Sequence, residues 1–252
     1  MLSTNRPALA PALSIEQISK AWGSVVALAG VTLDVPAGSC LALVGESGAG
    51  KSTLLKCLNR LEEPDGGRIL IDSADIRSRD PVILRRGIGY VPQGDGLLPH
   101  WNVRRNAALV PQLVGLGDAN RRADEALALV GLDPAVLGNR WPHELSGGQR
   151  QRVALARALA GGQGIMLLDE PFGALDAITR HELRETLLAI RAARPLTVVL
   201  VTHDLREALM LASAVAVLRN GRLEQTAAPD ELVGNPATPY VAELLSRSGV
   251  TS

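Results

Sequence analysis

Apolar and polar positions change their period several times along the chain, and each change marks an element. Alternation in "LSIEQIS" (13–19) and "VTLDV" (31–35) predicts two half-buried strands. The unbroken apolar run "CLALVG" (40–45) predicts a strand covered on both faces, and it ends directly in a glycine-rich loop. A helix is expected from near Gly50 to about Leu61, "EEPDGGRILI" reads as a turn into another strand, and the strand in "IGYVPQ" ends at Pro92. From about Leu97 to Ala160 the period becomes helical, punctuated by Pro and Gly, as in "ADEALALVGL" and "GGQRQRVALARALA". Buried parallel strands return at "IMLLDE" and "TVVLVTHD", each followed by an amphipathic helix, and beyond about Val215 strand, turn and helix alternate.

The pattern describes one α/β core carrying an α-helical subdomain at about 97–160, with no repeat, low-complexity tract or linker. Residues 1–12, broken by Pro7 and Pro11, read as a loose tail rather than a secretory signal, and 247–252 as a second short tail. A chain of 252 residues has core enough to fold without metals or disulfides. Lys+Arg and Asp+Glu both number 26, so no net basic field exists to gather nucleic acid or an anionic membrane surface. The longest apolar runs fall short of a bilayer span of roughly 20 residues. Cys40 and Cys57 read as packing residues in a reducing compartment, which makes the cytoplasm the default address.

The first piece of chemistry is "GESGAGKST" (45–53), a G-x-x-x-x-G-K-[ST] phosphate loop in its required context, strand before and helix after. Gly45, Gly48 and Gly50 let the backbone approach closely, so the N–H groups of Glu46, Ser47, Ala49 and their neighbours and a helix N-terminus can face phosphates. Lys51 supplies a point charge for the β- and γ-phosphates of ATP, Ser52 a hydroxyl for Mg²⁺, and Thr53 a donor for the α-phosphate.

"IMLLDE" sets Asp169 and Glu170 at the C-terminal edge of a strand, where α/β sheets bind ligands. Asp169 is expected to hold Mg²⁺ and Glu170 to act as general base or to orient the attacking water. Gln93, at another strand exit, is a candidate for the metal or the water; His203, closing "VLVTH", is a candidate for the γ-phosphate. His100, His143 and His181 read as ordinary surface or structural residues. Trp22 offers either an adenine-stacking face or a packing aromatic.

A second glycine-rich helix start, "LSGGQ" (145–149), has no lysine. "GESGAGKST", Gln93, "LSGGQ", "IMLLDEP", "GALD" and His203 occur in that order, and the chain resembles the nucleotide-binding subunit of an ATP-binding cassette transporter from Trp22 to about Leu245. The resemblance implies a P-loop NTPase fold of the ABC type, with a RecA-like core sheet, an antiparallel β subdomain and an α-helical subdomain across 13–246. It implies that Ser146, Gly147, Gly148 and Gln149 meet the γ-phosphate bound by a second ATPase subunit, identical or equivalent, in a head-to-tail dimer, with Asp176 at the same interface. A second lysine would be superfluous there: a hydroxyl, backbone amides and a helix dipole suffice. Implied partners are integral membrane permease subunits and, indirectly, a solute-binding protein. The implied location is peripheral, on the cytoplasmic face of the membrane.

"RRGIGYVPQGDGLLPH", "NAALVPQLVG", "DEPFGALDAITR" and "PDELVGNPATPYVAELL" are similar to importer subunits for quaternary amines: glycine betaine, choline or carnitine. An importer for amino acids or another small solute is the alternative, and a soluble non-transport cassette ATPase is the alternative of a different class. In this group Leu98 and Trp101-Asn102 commonly stand as Phe and Met-Thr, and Arg104 and Arg105 as acidic residues. The two arginines fall early in a helix that Asn102 could cap, where cations lose roughly 0.3–1 kcal/mol each against the dipole. Pairing with acidic residues of a membrane partner and simple solvated variation both fit. Some relatives continue into paired sensory domains, and ionic-strength sensing by such domains is not expected from the residues present.

Overall fold

The computed structural model describes residues 10–173 and 175–250. They divide into two units: a split unit of the described residues up to 85 together with those from 197 onward, and a central unit of residues 86–196.

The split unit starts with β1 (Leu13–Trp22) and β2 (Val25–Val35), an antiparallel hairpin. Strand β3 (Cys40–Val44) runs into the phosphate loop and α1 (Lys51–Leu58), then β4 (Gly66–Ile71) and β5 (Ala74–Asp75). The first sheet has the order β2-β1-β4-β5 and is antiparallel throughout. Its alternation is that of a sheet with one covered face: Leu13, Ile15 and Ile18 are buried, and Ser14 and Glu16 are not. Structure begins slightly ahead of β1, where the Pro11 carbonyl accepts from Thr197 Oγ1 at 2.6 Å and the Ala12 N–H donates to Asp72 at 2.9 Å. Residues 1–9 of the expected N-terminal tail, and 251–252 of the C-terminal one, lie outside the described residues.

Helix α1 stops three residues short of the expected Leu61. Arg60 takes a positive φ of 53°, and the buried Asn59 accepts the Leu61 N–H at 3.1 Å, which closes the helix with a side-chain turn. Helix α2 (Pro81–Arg86) leads into the central unit.

The central unit holds the parallel pair β6 (Ile88–Val91) and β7 (Ile165–Asp169). Between them in sequence lie α3 (Val103–Leu113), α4 (Ala119–Leu129), the short α5 (Pro134–Leu137) and α6 (Gly147–Ala160). The helical stretch begins at Val103 rather than near Leu97, because Gly94 and Gly96, both at positive φ, turn 93–98 into a loop. α7 (Ala177–Ala193) follows β7 and buries Leu183, Leu187 and Ile190 on one face. At about 1.5–3 kcal/mol per fully buried aliphatic side chain, that face is what keeps the helix in place.

The chain then returns to the split unit through β8 (Thr197–Val201), α8 (Leu205–Leu211), β9 (Ala214–Arg219), β10 (Arg222–Ala227), α9 (Pro229–Gly234) and α10 (Pro239–Arg247). β3 lies between β8 and β9, parallel to both, and β10 is antiparallel to β9. All five residues of β3 and of β8 are buried, as the continuous apolar runs require. Ala42, Val44, Val215 and Val217 pack against Leu205, Leu232, Tyr240, Val241 and Leu245, so α8, α9 and α10 share one core. The α/β class read from the sequence is the one observed, with parallel core strands and a separate antiparallel sheet.

Candidate functional site

In the split unit the phosphate loop leaves the end of β3. Gly45 has φ 147°, and a Cβ there would sit 2.2 Å from the Leu218 carbonyl oxygen; Gly50 has φ 100°, and a Cβ would meet the Ala27 oxygen at 2.4 Å. Neither position admits a side chain, for reasons of both conformation and space. The loop is therefore pressed between β9 on one side and β2 on the other.

Lys51 is buried, and its Nζ donates to the carbonyl oxygens of Gly45 at 2.8 Å and Glu46 at 2.9 Å. The ammonium is thus held back on its own loop, within reach of whatever the loop encloses. Ser52 and Thr53, in the first turn of α1, are half-buried; Glu46, Ser47 and Gly48 are exposed. The helix starts with no acidic residue in its first turn, so no carboxylate there competes with an incoming anion for its dipole.

The β3–β8 register pairs Leu43 with Val201, so two residues further on Gly45 and His203 leave the same sheet edge together. His203 is exposed. Trp22 ends β1 opposite Val25; its indole is 47% exposed, with the Lys20 ammonium 5.7 Å from the ring centroid. The ring is half exposed rather than enclosed in a core.

In the central unit the β6–β7 register pairs Val91 with Leu168, which carries Gln93 and Glu170 out of the sheet side by side. Gln93 Nε2 donates to Glu170 Oε2 at 3.3 Å. Asp169 is buried beside Tyr90, whose hydroxyl is pushed up to about 12 by its own burial and by repulsion from the Asp169 carboxylate. Glu170 adopts a left-handed φ of 49°, a conformation costing a non-glycine residue about 1–3 kcal/mol and found where a side chain must be aimed. A recess of about 430 Å³ is lined by Gln93, Asp95, Gly147, Arg150, Gln151 and Glu170, among other residues of this unit.

Ser146 caps α6. Its Oγ accepts from the Gln149 N–H at 3.2 Å while Gln149 Oε1 accepts from the Ser146 N–H at 3.0 Å, a reciprocal capping box. Gly148 is buried for a separate reason: a Cβ would lie 2.1 Å from Thr179 Cγ2 of α7. Asp176 caps α7, accepting from Ile178 N at 3.1 Å, Thr179 N at 3.0 Å and Thr179 Oγ1 at 2.7 Å. The Thr179 hydroxyl above all, then its N–H, holds the Asp176 carboxyl below its ordinary value. Ser146, Gln149 and Asp176 therefore each have a capping task within the chain.

Two groups escaped the sequence reading. Arg157, 8% exposed in the last turn of α6, donates to the Gly96 oxygen at 2.7 Å and the Asp95 oxygen at 3.3 Å, and Arg150 pairs with the Asp95 carboxylate at 2.8 Å. Both arginines tie the loop after Gln93 to the helix that begins at Ser146. In sequence they look like any basic residue of a solvated helix. The second is Tyr240, treated below.

Arg104 corrects an expectation. Its Nε bonds Asp124 at 2.7 Å, its Nη2 the Pro134 oxygen at 2.9 Å and its Nη1 Asn139 at 3.2 Å, so it staples α3 to α4 and α5. It is neither a solvated variant nor a cation held out for a partner. Arg105 is exposed and stacks on Trp101, 4.2 Å from the ring centroid. Asn102 does cap α3, accepting the Arg105 N–H at 2.9 Å.

Among the described residues no group of three or more His, Cys, Asp or Glu side chains could cage a metal by itself. Cys40 and Cys57 are free and buried, and burial pushes the Cys57 thiol up to about 12. No helix among the described residues is long and apolar enough to cross a membrane.

Residues 28–173 match the sequence family described as "ABC transporter". The chain belongs to the ABC transporter family. The glycine betaine/carnitine/choline transport ATP-binding protein of Bacillus subtilis is 45% identical over 238 residues, covering 93% of this chain and 62% of the relative. The glycine betaine uptake system ATP-binding protein of Escherichia coli is 43% identical, covering 94% of this chain and 77% of the relative. A sulfate/thiosulfate import ATP-binding protein of Thermosynechococcus vestitus is 46% identical, covering 92% and 69%. The chain spans 62% of the length of the two Bacillus relatives for betaine, carnitine and choline. Among solved structures, a dimeric bacterial ABC transporter cassette superposes with a TM-score of 0.79 at 33% identity, covering 86% of this chain and 98% of that one. The cassette fold, a P-loop NTPase with an antiparallel subdomain, is thereby the fold of this chain.

Proposed function

We propose that this chain is the ATP-hydrolysing subunit of an ABC importer, working as a pair of ATPase subunits beneath a membrane permease. The observation that carries the reading is Lys51: a buried ammonium hooked onto two carbonyls of a loop closed to side chains at Gly45 and Gly50, at a helix start without acidic residues. Lys51 then reaches the β- and γ-phosphates through charge-assisted hydrogen bonds, so ATP is held by charge and backbone N–H groups together.

In this reading Glu170 takes or orients the proton of the attacking water, and Gln93, bonded to Glu170, fixes the carboxylate. His203 and Trp22 serve the γ-phosphate and adenine. Ser52, Gln93 and Asp169 are the residues that would hold Mg²⁺, which neutralises phosphate charge when bound. Ser146 to Gln149, capping a 14-residue helix, supply a hydroxyl and a positive dipole end to the nucleotide of a second subunit, with Asp176 at the same surface. Dimeric assembly of the related cassette supports the pairing. An interface that closes on the γ-phosphate and loosens after hydrolysis converts chemistry into motion of the permease.

For the solute we infer quaternary amines such as glycine betaine, choline or carnitine. The support is the shared phrases around Gln93 and in the C-terminal region and the identity of 45% and 43% to ATPases named for these solutes. Sulfate or thiosulfate is the second reading, favoured by the 46% identity noted above.

Turnover of MgATP should rise faster than linearly with subunit concentration at low concentration. Strictly linear turnover down to the lowest measurable concentration, with no associated species on gel filtration, rules out the paired mechanism. Uptake of labelled glycine betaine and labelled sulfate, in cells lacking the chain and then resupplied with it, separates the two solutes: restored betaine uptake supports the first reading, and restored sulfate uptake alone refutes it.

A further inference from the structure

The peptide unit joining Gly45 to Glu46 is gripped from both ends. Its carbonyl oxygen accepts from Lys51 Nζ at 2.8 Å, and its N–H donates to Tyr240 Oη at 3.4 Å. Tyr240 comes from α10, at the far end of the sequence, 194 residues away. The ring is only 7% exposed and belongs to the core formed by β3, β9 and helices α8, α9 and α10. The Arg219 guanidinium stacks on it, 4.5 Å from the ring centroid.

We propose that Tyr240 is a positioning residue of the nucleotide site, setting the Gly45–Glu46 peptide so that its carbonyl parks Lys51 and the loop stays open for phosphate. The inference rests on the ATP-binding reading of the loop. The geometry supports it in three ways. The peptide plane is rigid, so fixing its N–H fixes the direction of its C=O. Gly45, with no side chain and a φ of 147°, cannot fix that plane itself. The Tyr240 ring is confined by its burial in the core, and α10 is anchored at both ends: Thr238 caps it through the Val241 N–H at 3.3 Å, and the Ser248 oxygen after it accepts from Arg206 Nε at 2.7 Å. When Lys51 leaves its carbonyls for phosphate, the Tyr240 hydroxyl becomes the partner that keeps the peptide in place. An exposed Arg247–Glu46 pair at 3.5 Å joins the same two segments but is open to water and salt.

The test is a double-mutant cycle on nucleotide affinity, measured by titration of ADP and MgATP. Tyr240→Phe keeps the ring and removes the hydroxyl. Loss of one hydrogen bond of this class corresponds to a weakening of about twofold to tenfold in Kd, with kcat at saturating ATP unchanged. Glu46→Pro removes the N–H donor, and in that background Tyr240→Phe is expected to leave Kd unchanged. An equal Kd for the wild type and Tyr240→Phe overturns the inference, and so does the same loss in both backgrounds, which would mark Tyr240 as packing only. Amide exchange at Glu46 in the unaltered protein is expected to be slowed relative to Ser47; equal, fast exchange at both overturns it without any variant. A wild-type chain that binds neither ADP nor ATP defeats the ATP-site reading itself, a result distinct from wild-type binding with an indifferent Tyr240.

Discussion

Replacing Gly148 by alanine separates two reasons for the glycine in the "LSGGQ" helix start. A Cβ at this position falls 2.1 Å from Thr179 Cγ2, while Thr179 Cβ and Oγ1 stay at ordinary contact distances of 3.4 and 3.6 Å. Thr179 cannot easily rotate out of the way: it is β-branched, and its hydroxyl is held by Asp176 at 2.7 Å. Overpacking of this kind costs about 1–3 kcal/mol. Against it stands the helix-propensity gain of alanine over glycine, at most about 1 kcal/mol. The net expectation is a loss of about 0–3 kcal/mol, or a fall in Tm of a few degrees for a chain of this size. Thr179→Ser removes Cγ2 and keeps the hydroxyl, so Gly148→Ala in that background should be neutral or stabilising. The coupling energy of the cycle is then about 1–3 kcal/mol. Thermal and urea denaturation of the four proteins measure it, and MgATP turnover of the double variant carrying Gly148→Ala and Thr179→Ser asks what remains once packing is relieved. A penalty for Gly148→Ala of the same size in both backgrounds would refute the argument that Thr179 demands the glycine.

Glu170→Gln is expected to bind MgATP without turnover and to elute as a dimer on gel filtration, whereas Ser146→Arg in the same background elutes as a monomer; a monomer for Glu170→Gln with MgATP contradicts the scheme. Arg157→Met leaves the Gly96 and Asp95 carbonyls without their buried donor, at roughly 1–3 kcal/mol for unsatisfied groups, and should lower Tm and turnover together; unchanged turnover would disconnect the loop after Gln93 from the chemistry. Asp176→Ala should lower the Tm at neutral pH by loss of the α7 cap. Because hydrogen bonds depress the folded-state Asp176 value below 3.8, the wild-type advantage is full above 3.8 and is lost as pH falls through the lower folded value; a gap that closes already near pH 5 would assign it to another group. Lys51→Met should abolish measurable ATP affinity while the fold persists, checked by nucleotide titration alongside circular dichroism.

Where local chemistry suffices, the chain can be read directly. A phosphate loop is legible because each glycine answers a backbone requirement within nine residues, and Gln93 and Glu170 are legible because strands end where apolar runs end. Their approach to 3.3 Å follows from the parallel register of β6 and β7, which the sequence does not state. Trp22 is ambiguous until its exposure is known, since nothing local distinguishes a stacking indole from a packing one. Arg104 and Arg157 are unreadable for the opposite reason. Long basic side chains snorkel, and which carbonyls or carboxylates they reach depends on neighbours 20 to 62 positions away.

By itself, then, the order of residues determined the class of fold, the loop that can take phosphate, and the carboxylates at the strand ends, since these depend on periodicity, glycine and residue type within short windows. Tertiary structure alone decided that Gly148 is demanded by Thr179, that Arg104 is a staple, and that a tyrosine 194 residues along grips the phosphate loop. The physical reason is common to all three: packing and hydrogen bonding act at a few ångströms between segments whose separation along the chain carries no trace of their contact.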